Sequence, residues 1–263
     1  MIAAFRAEWS RLMQRRMLLA AAVLLLVVAF GGPAIVLSAA EPASRTPPGA
    51  FAPTIEGLSS SGGGTEIFRF AAAFGGTLTF IAFVGLFSVE YSRGTYRTML
   101  LHQPRRVALV GGKLAGLLGF AALALAALEI AMWIAGHLEA PAFGVSTASW
   151  TSADAVGSGL GDYAMVMLWV TGYAVFGMTV AILVRSVAPA LAIAVAWAGP
   201  LEHLVNRAWS PARQWFPGLL LEAVGEGGTG GVTATRAAVT AAAYIVLFSV
   251  ITAVVFSRRD IAA

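Results

Sequence analysis

The 263-residue chain contains no cysteine and few charged residues. The absence of cysteine excludes disulfide bonds, thiolate metal sites and cysteine nucleophiles. Charged residues make up 11% of the chain, whereas soluble globular proteins contain about 25%. The mean hydropathy is +0.81, so water is not the main solvent of this protein. The composition indicates one bundle of membrane helices and leaves little sequence for a second domain.

Motifs for hydrolysis, metal binding and phosphate binding are also missing. The three histidines, His102, His137 and His203, lie in different segments without metal-ligand spacing. No Gly-x-Ser-x-Gly sequence occurs. The sequence Gly111-Gly112-Lys113 is followed by Leu114, which cannot bind magnesium as the Ser or Thr of a phosphate-binding loop does. The sequence predicts neither an enzyme nor a cofactor or metal here, so any ATPase would be a separate chain.

Six apolar segments are present, each about as long as the 20 residues that cross a hydrocarbon core. They lie at about 17–38, 67–89, 114–136, 163–184, 187–205 and 237–256. External loops are predicted at 39–66, with a short helix around 54–58, and at 137–162 and 206–236. A cleaved signal peptide is the alternative for the first segment, but its apolar run exceeds the roughly 7–15 residues of a signal peptide. The predicted fold class is therefore an all-α integral membrane protein with a single transmembrane domain, residues 1–263.

The first sixteen residues are predicted to form an amphipathic helix that lies in the membrane interface. Its apolar face contains Ile2, Phe5, Trp9, Leu12 and Met13, and its polar face contains Glu8, Arg11, Gln14 and Arg15. The alternative is a plain charged leader before the first span. With the N-terminus inside the cell, twelve Lys and Arg residues fall on the cytoplasmic side and five fall outside. The positive-inside rule thus predicts six spans with both termini cytoplasmic.

Several residues within the apolar segments are candidates for function. Glu129 lies sixteen residues after Lys113, about 24 Å along a helix, and so toward the outer leaflet. Its carboxylate could line a substrate cavity, reach the outer interface, or pair with Arg69 or Arg236. Pro200 should kink or end the fifth span. The following Glu202-His203 is read as a solvated helix end, with a gate or a fragment of a metal site as the alternative.

Residues 90–113 form the most basic stretch between two apolar segments. Arg93, Arg97, Arg105, Arg106 and Lys113 oppose the single acid Glu90. A short helix from Glu90 to Leu101 is predicted to continue the second span, and Pro104 then turns the chain back. The result is a helical hairpin with a cationic tip, suited to docking another protein. Ordinary positive-inside charge is the alternative, although the two-residue Arg185-Ser186 turn shows that a turn alone needs no such length.

The pattern resembles the ABC-2 type permeases, the membrane subunits of bacterial ABC transporters. The matching segments are FRAEWSRLMQRR before the first span and EYSRGTYRTMLL with its following Pro, Arg and Lys between spans two and three. The Arg-Ser turn between spans four and five matches as well, together with Trp215-Phe216-Pro217-Gly218 and the basic tail SRRDI. The resemblance covers essentially the whole chain. Apart from the resemblance, Gly112, Gly116 and Gly119 give the third span a small-residue face for close helix packing.

The resemblance implies a six-helix subunit in the bacterial inner membrane that pairs with a second permease, identical or homologous, and with ATP-binding cassette ATPase subunits. ATP and magnesium would bind on those ATPase subunits. The residues that would couple this chain to the ATPase are Glu90, Arg93, Gly94, Thr95, Arg97, Pro104, Arg105 and Lys113. Pro217 would belong to an external re-entrant gate and join Glu129 and Pro200 as a candidate for the substrate path. Export of a lipophilic or amphipathic small molecule, such as a drug, antibiotic or lipid, would proceed by alternating access at the permease dimer interface.

Two other classes of protein fit the composition. A secondary transporter or channel would need no ATPase, but it should show ionisable groups near the midplane or an inverted repeat. Only the off-centre Glu129 points that way. An integral membrane enzyme would need a nucleophile and base pair, which the sequence does not show.

Overall fold

The computed structural model describes residues 1–47, 51–102, 104–229 and 231–258, and helices form most of it. The helices are α1 Ile2–Leu12, α2 Arg15–Ser38, α3 Ile55–Leu58, α4 Gly63–Phe74, α5 Gly76–Ser92, α6 Thr95–His102, α7 Arg106–Glu139, α8 Ala153–Val184, α9 Val187–Ala196, α10 Glu202–Ala208, α11 Pro217–Gly225 and α12 Ala234–Arg258. Short 3₁₀ turns occupy Ala43–Arg45, Ala140–Phe143 and Ser210–Gln214. A small antiparallel hairpin, β1 Gly228–Thr229 and β2 Val232–Thr233, pairs Gly228 with Thr233.

Four of the described helices, α2, α7, α8 and α12, are each long and apolar enough to cross a membrane. A fifth span results if α4 and α5, which meet at a bend of 57°, are counted together. The protein is thus an all-helical protein with four to five helices able to span a membrane. Six spans stay a prediction, because the segment predicted at 187–205 is divided between α9 and α10, and α9 is only ten residues long.

The second predicted span, 67–89, is divided between two helices that meet at a bend of 57°. The break falls at Gly75, between α4 and α5. A Cβ on Gly76 would lie 3.2 Å from the Trp169 ring and 3.3 Å from the Tyr173 hydroxyl. The Gly75-Gly76 pair therefore allows close helix approach and also removes the side chains that would favour a continuous helix at this point.

The helix predicted at 163–184 begins ten residues earlier, at Ala153. The loop expected at 137–162 is shortened accordingly, since α7 also runs on to Glu139. Ser152 caps α8 by accepting a hydrogen bond from the Ala155 amide at 3.2 Å, and Asp154 lies in the first turn. The cap favours the start of a helix at this point. Its stabilising effect opposes the low helix propensity of Gly157, Gly159 and Gly161.

Helix α8 is the centre of the bundle. In the most apolar stretch of α8, 78% of the residues are buried. The corresponding stretches of α2, α7 and α12 are only 11–22% buried. Phe176 of α8 stacks on Phe80 of α5 at 4.6 Å and on Phe248 of α12 at 4.9 Å. The Thr179 and Thr252 hydroxyls, both buried, lie 2.9 Å apart. Helix α8 thus provides the fixed frame on which the flanking helices pack.

The segment around Pro200 remains helical. A π-helical turn, Trp197–Leu201, joins α9 to α10 and contains the proline. A π turn accommodates Pro200 because its missing N–H and bulky ring disturb the ordinary hydrogen-bond ladder. The predicted kink or end at this residue takes this local form, and the helical path continues to Ala208.

The basic stretch folds as a tighter hairpin than predicted. Helix α5 ends at Ser92, so the single helix expected from Glu90 to Leu101 is wrong, and a separate helix, α6, starts at Thr95. The turn between them depends on Gly94, whose φ is +66°. Its amide donates to the Tyr91 carbonyl at 3.1 Å. Glycine is needed because other residues adopt this left-handed conformation at a cost.

Substituting Gly94 should reveal that conformational requirement. We expect Gly94→Ala to destabilise the α5–α6 turn by about 1–2 kcal/mol, the cost of a left-handed L-residue. Gly111→Ala is the matched control, since no atom lies within 4 Å of the added Cβ at either position and Gly111 is inside a helix. Thermal unfolding in detergent measures both variants. Equal melting temperatures would contradict the role given to Gly94.

Candidate functional site

Four charged side chains meet where α1, α5 and α7 come together. The Lys113 ammonium lies 3.1 Å from a Glu8 oxygen and 2.5 Å from a Glu90 oxygen. Arg11 pairs with Glu8 and lies 3.3 Å from the same Glu90 oxygen. Two cations therefore oppose two carboxylates. We call Glu8, Arg11, Glu90 and Lys113 the charge cluster.

The charge cluster is largely inaccessible to water. Glu8, Glu90 and Lys113 are 3–4% exposed, whereas the Arg11 side chain is 43% exposed. The ammonium also lies 5.6 Å from the centre of the Phe87 ring. Buried charges are tolerated when each is paired, and removing one partner leaves an uncompensated charge at a high cost. The cluster consequently fixes the relative positions of three chain segments.

Helix α1 is held against α7 by glycines as well as by charge. A Cβ on Gly112 would lie 2.5 Å from the Met1 carbonyl oxygen, and one on Gly116 would lie 3.0 Å from Glu8 Cβ. A Cβ on Gly119 would lie 3.3 Å from the Trp9 ring. The small-residue face identified in the sequence thus packs against a neighbouring helix, and that helix is α1. The expectation that Glu8 belongs to a solvent-facing polar side was wrong, because Lys113 draws it inside.

The close contact between α1 and α7 gives a second prediction. Gly112→Ala should displace α1, because its Cβ would overlap backbone atoms of the first turn, whereas Gly111→Ala should not. A single cysteine at Ala4, which is 9% exposed, reports the displacement. Labelling by a water-soluble maleimide should be slow with Gly111→Ala and several times faster with Gly112→Ala. Equal labelling rates would show that α1 does not depend on this contact.

Helix α6 is attached to the bundle by Tyr96. This side chain is 1% exposed, and its ring lies 4.6 Å from Tyr91 and 5.4 Å from Phe256. Burial first, and then the negative charge of Glu90, raise the pKa of the Tyr96 phenol well above its usual value. The phenol therefore stays neutral at physiological pH. The ring contacts of Tyr96 hold α6 against α5 and α12.

The predicted coupling residues differ in their burial. Glu90 and Lys113 lie in the buried charge cluster. Thr95 is half-buried, and five residues are exposed on the hairpin surface: Arg93, Gly94, Arg97, Pro104 and Arg105. We call Arg93, Arg97 and Arg105 the arginine rim. The arrangement is a set of accessible guanidinium groups supported by a fixed, charge-paired base, and such groups bind carboxylates strongly.

The structure does not bring Glu129 together with Pro200 and Pro217, the other two candidates for the substrate path. Glu129 lies in α7 on the far side of the bundle from the arginine rim, with one carboxylate oxygen 3.6 Å from the position of a Cβ on Gly159. Arg69 instead pairs with Glu66 at 2.9 Å and with Asp162 at 3.5 Å. Among the described residues, the buried Glu129 oxygen has no hydrogen-bond partner. The pairings suggested for Glu129 with Arg69 or Arg236 are not present in the described contacts.

Pro200 and Pro217 belong to one substructure, which is organised by Glu202. The Glu202 carboxylate, 2% exposed, accepts hydrogen bonds from the Gly218 and Leu219 amides at 3.2 and 2.7 Å. It also accepts one from the Trp197 indole N–H. Glu202 therefore caps the first turn of α11, whose Leu219, Leu220 and Val224 are fully buried. The interpretation of Glu202 as a solvated helix end was wrong. The sequence signal for this cap was an acidic residue shortly after Pro200.

The cap at α11 gives a third prediction. Glu202→Ala should destabilise the α10–α11 substructure by about 1–2 kcal/mol, since two amides lose their acceptor. Glu202→Gln retains one carbonyl acceptor and should lose less. Hydrogen exchange of the α11 amides measures the effect locally. Equal protection in the wild type and in Glu202→Ala would exclude the capping role.

Among the described residues, no group of three or more His, Asp or Glu has a geometry that could hold a metal ion. The candidate functional site is the arginine rim together with the charge cluster that supports it, in an all-helical protein with four to five described helices able to span a membrane.

The sequence matches one known protein family. Residues 50–262, about four fifths of the sequence, match the family described as protein of unknown function (DUF2705), and the chain belongs to this family. Neither the comparison with curated proteins nor that with solved structures gives a match.

Proposed function

We propose that this chain is the membrane subunit of an ATP-driven ABC exporter, with the arginine rim as the surface that contacts the ATPase. The observation that carries the proposal is the pairing of an exposed cationic hairpin with a buried, charge-balanced base. A surface that transmits movement has to be rigidly attached to the membrane helices. The charge cluster supplies this attachment, because Glu90 lies in the last turn of α5 and Lys113 lies within α7.

In this proposal the chain crosses the bacterial inner membrane six times, with both termini in the cytoplasm. A second permease, identical or homologous, and ATP-binding cassette subunits carrying ATP and magnesium complete the complex. Closure of the ATPase dimer would move the arginine rim and, through the charge cluster, tilt α1, α5 and α7 together. Small apolar residues dominate the membrane helices, which favours a lipophilic or amphipathic cargo such as a drug, antibiotic or lipid.

Co-expression with candidate cassette ATPases tests the proposal. One tag on this chain should recover the ATPase, and ATP hydrolysis by the complex in lipid nanodiscs should rise with a transported lipophilic compound. Absence of any complex, with transport by the isolated chain, would contradict it.

A secondary transporter or channel is the second candidate, and one observation favours it. The buried Glu129 oxygen has no hydrogen-bond partner among the described residues, and unpaired acids inside spans are common in proton and ion paths. Proton-gradient-dependent uptake into liposomes that contain only this chain would support this class. A Glu129→Gln variant should then lose uptake, whereas the ABC proposal predicts no uptake by the isolated chain at all.

A further inference from the structure

An apolar groove runs along the surface of the bundle between α2, α4, α5 and α7, with α8 as its floor. Its volume is about 670 Å³, which is within the range of about 300–1,000 Å³ typical of ligand sites. Alanines of three helices create the space, and Phe68, Phe120 and Trp169 give it aromatic walls. Glu129, Pro200 and Pro217 are not among its lining residues.

The dimensions of the groove match one lipid leaflet. On α2 its lining runs from Leu18 to Val28, a rise of about 15 Å at 1.5 Å per residue. This is half of the roughly 30 Å thickness of a hydrocarbon core. An extended acyl chain of one leaflet can therefore lie along the groove.

Two exposed arginines lie next to one end of the groove in the sequence, although neither is a lining residue. Met13 and Leu18 line this end, and Arg15 and Arg16 lie between them in sequence, both exposed. Arg15 shares a helix face with Leu18, Ala22 and Leu25, because they follow it by three, seven and ten residues. Within the described part of the chain, no carboxylate lies within 4 Å of either arginine. Their charge is available to a ligand at the level of the lipid headgroups.

We infer that the groove binds an anionic phospholipid, with one acyl chain between α2 and α7 and the phosphate on Arg15 and Arg16. The length and apolar lining select the chain, and the two arginines select the negative headgroup. This site is separate from the arginine rim and does not depend on the proposed transport function. Its occupant would be a bound lipid that stays in place, distinct from any molecule that is exported.

Native mass spectrometry of the purified chain tests the site, using phosphatidylglycerol and phosphatidylcholine with identical acyl chains. Two arginines near a headgroup, at about 1 kcal/mol each, should favour phosphatidylglycerol about 30-fold. The Arg15→Gln/Arg16→Gln variant should lose this preference, whereas Arg6→Gln, on the exposed surface of α1, should keep it.

A matched pair of substitutions on α2 tests the acyl-chain groove itself. Ala22→Phe should fill the groove and reduce binding of both lipids about tenfold, because Ala22 is a lining residue. Ala20→Phe adds the same ring at an exposed position that does not line the groove, and should leave binding unchanged. Melting temperatures confirm that each variant is folded.

Three outcomes would overturn the inference. They are equal binding of the two lipids to the wild type, equal effects of Ala22→Phe and Ala20→Phe, and displacement of phosphatidylglycerol by a compound that the complex transports. The last outcome would make the groove a cargo site. Failure to find an ATPase partner would contradict the proposed function and leave the lipid site intact, so the two claims fail separately.

Discussion

In the proposed ABC exporter, the variant Arg93→Glu/Arg97→Glu should fold normally, lose its ATPase partner and abolish transport. Both side chains are exposed on the hairpin, so their reversal adds no buried charge. Placing like charges across an interface costs several kcal/mol. A loss of about 3 kcal/mol corresponds to more than a hundredfold weaker binding. Co-purification and export assays on the same preparation measure both effects.

The control for this variant is Arg6→Glu, which also reverses charge on an exposed residue but away from the hairpin. It should retain both the partner and transport. Full transport by Arg93→Glu/Arg97→Glu at a normal melting temperature would exclude the arginine rim as the docking surface.

The largest effect on stability is expected from Lys113→Met. The substitution leaves Glu8 and Glu90 together in a buried site with only Arg11 to balance them. Breaking a buried ion pair in this way typically costs about 3–5 kcal/mol. Thermal unfolding should show a large loss, and Ala4→Cys should become accessible to maleimide as α1 separates from α7.

A second substitution distinguishes charge balance from lost packing. Lys113→Met/Glu8→Gln returns the cluster to neutrality and should recover much of the stability, since a paired set of charges can often be replaced without loss. Arg6→Met removes an exposed charge from the same helix as Glu8 and should change the melting temperature little. If the double variant is as unstable as Lys113→Met, packing of the lysine stem is what matters.

The sequence indicated the membrane helices well because their signal is long and local. About 20 apolar residues identify α2 and α12 without any knowledge of the tertiary structure. The Arg185-Ser186 turn was predicted as well, and Arg185 adopts the left-handed conformation, with φ of +61°. The short helix at 54–58 is confirmed as α3, where Thr54 accepts a hydrogen bond from the Gly57 amide at 3.0 Å.

Features that depend on distant partners could not be predicted in the same way. Glu8 is 105 residues from Lys113 in sequence, so the helical pattern of α1 alone assigned it to a polar surface. Glu202 lies near a proline and looked like a helix end, but its acceptors are used by amides of α11. The bend at Gly75 also depends on packing, since Trp169 and Tyr173 approach from α8.

In the candidate site, too, the local features could be predicted from the sequence and those that depend on distant residues could not. Counting Arg and Lys in residues 90–113 was enough to locate the basic hairpin. It could not separate the buried Glu90 and Lys113 from the exposed Arg93, Arg97 and Arg105, because all five belong to one charged stretch. That separation comes from α1, which brings Glu8 and Arg11 to the buried pair.

Site-specific cross-linking from the hairpin tests the central claim most directly. The natural chain has no cysteine, so Thr98→Cys on α6 carries a photo-cross-linker at one defined, exposed position. Illumination of membranes should join this chain to an ATP-binding cassette ATPase, with a yield that changes on addition of ATP. Ser44→Cys, exposed on the segment before α3, should give no such product. A Thr98 variant that cross-links only to lipid, in membranes where transport proceeds, would contradict the proposed coupling.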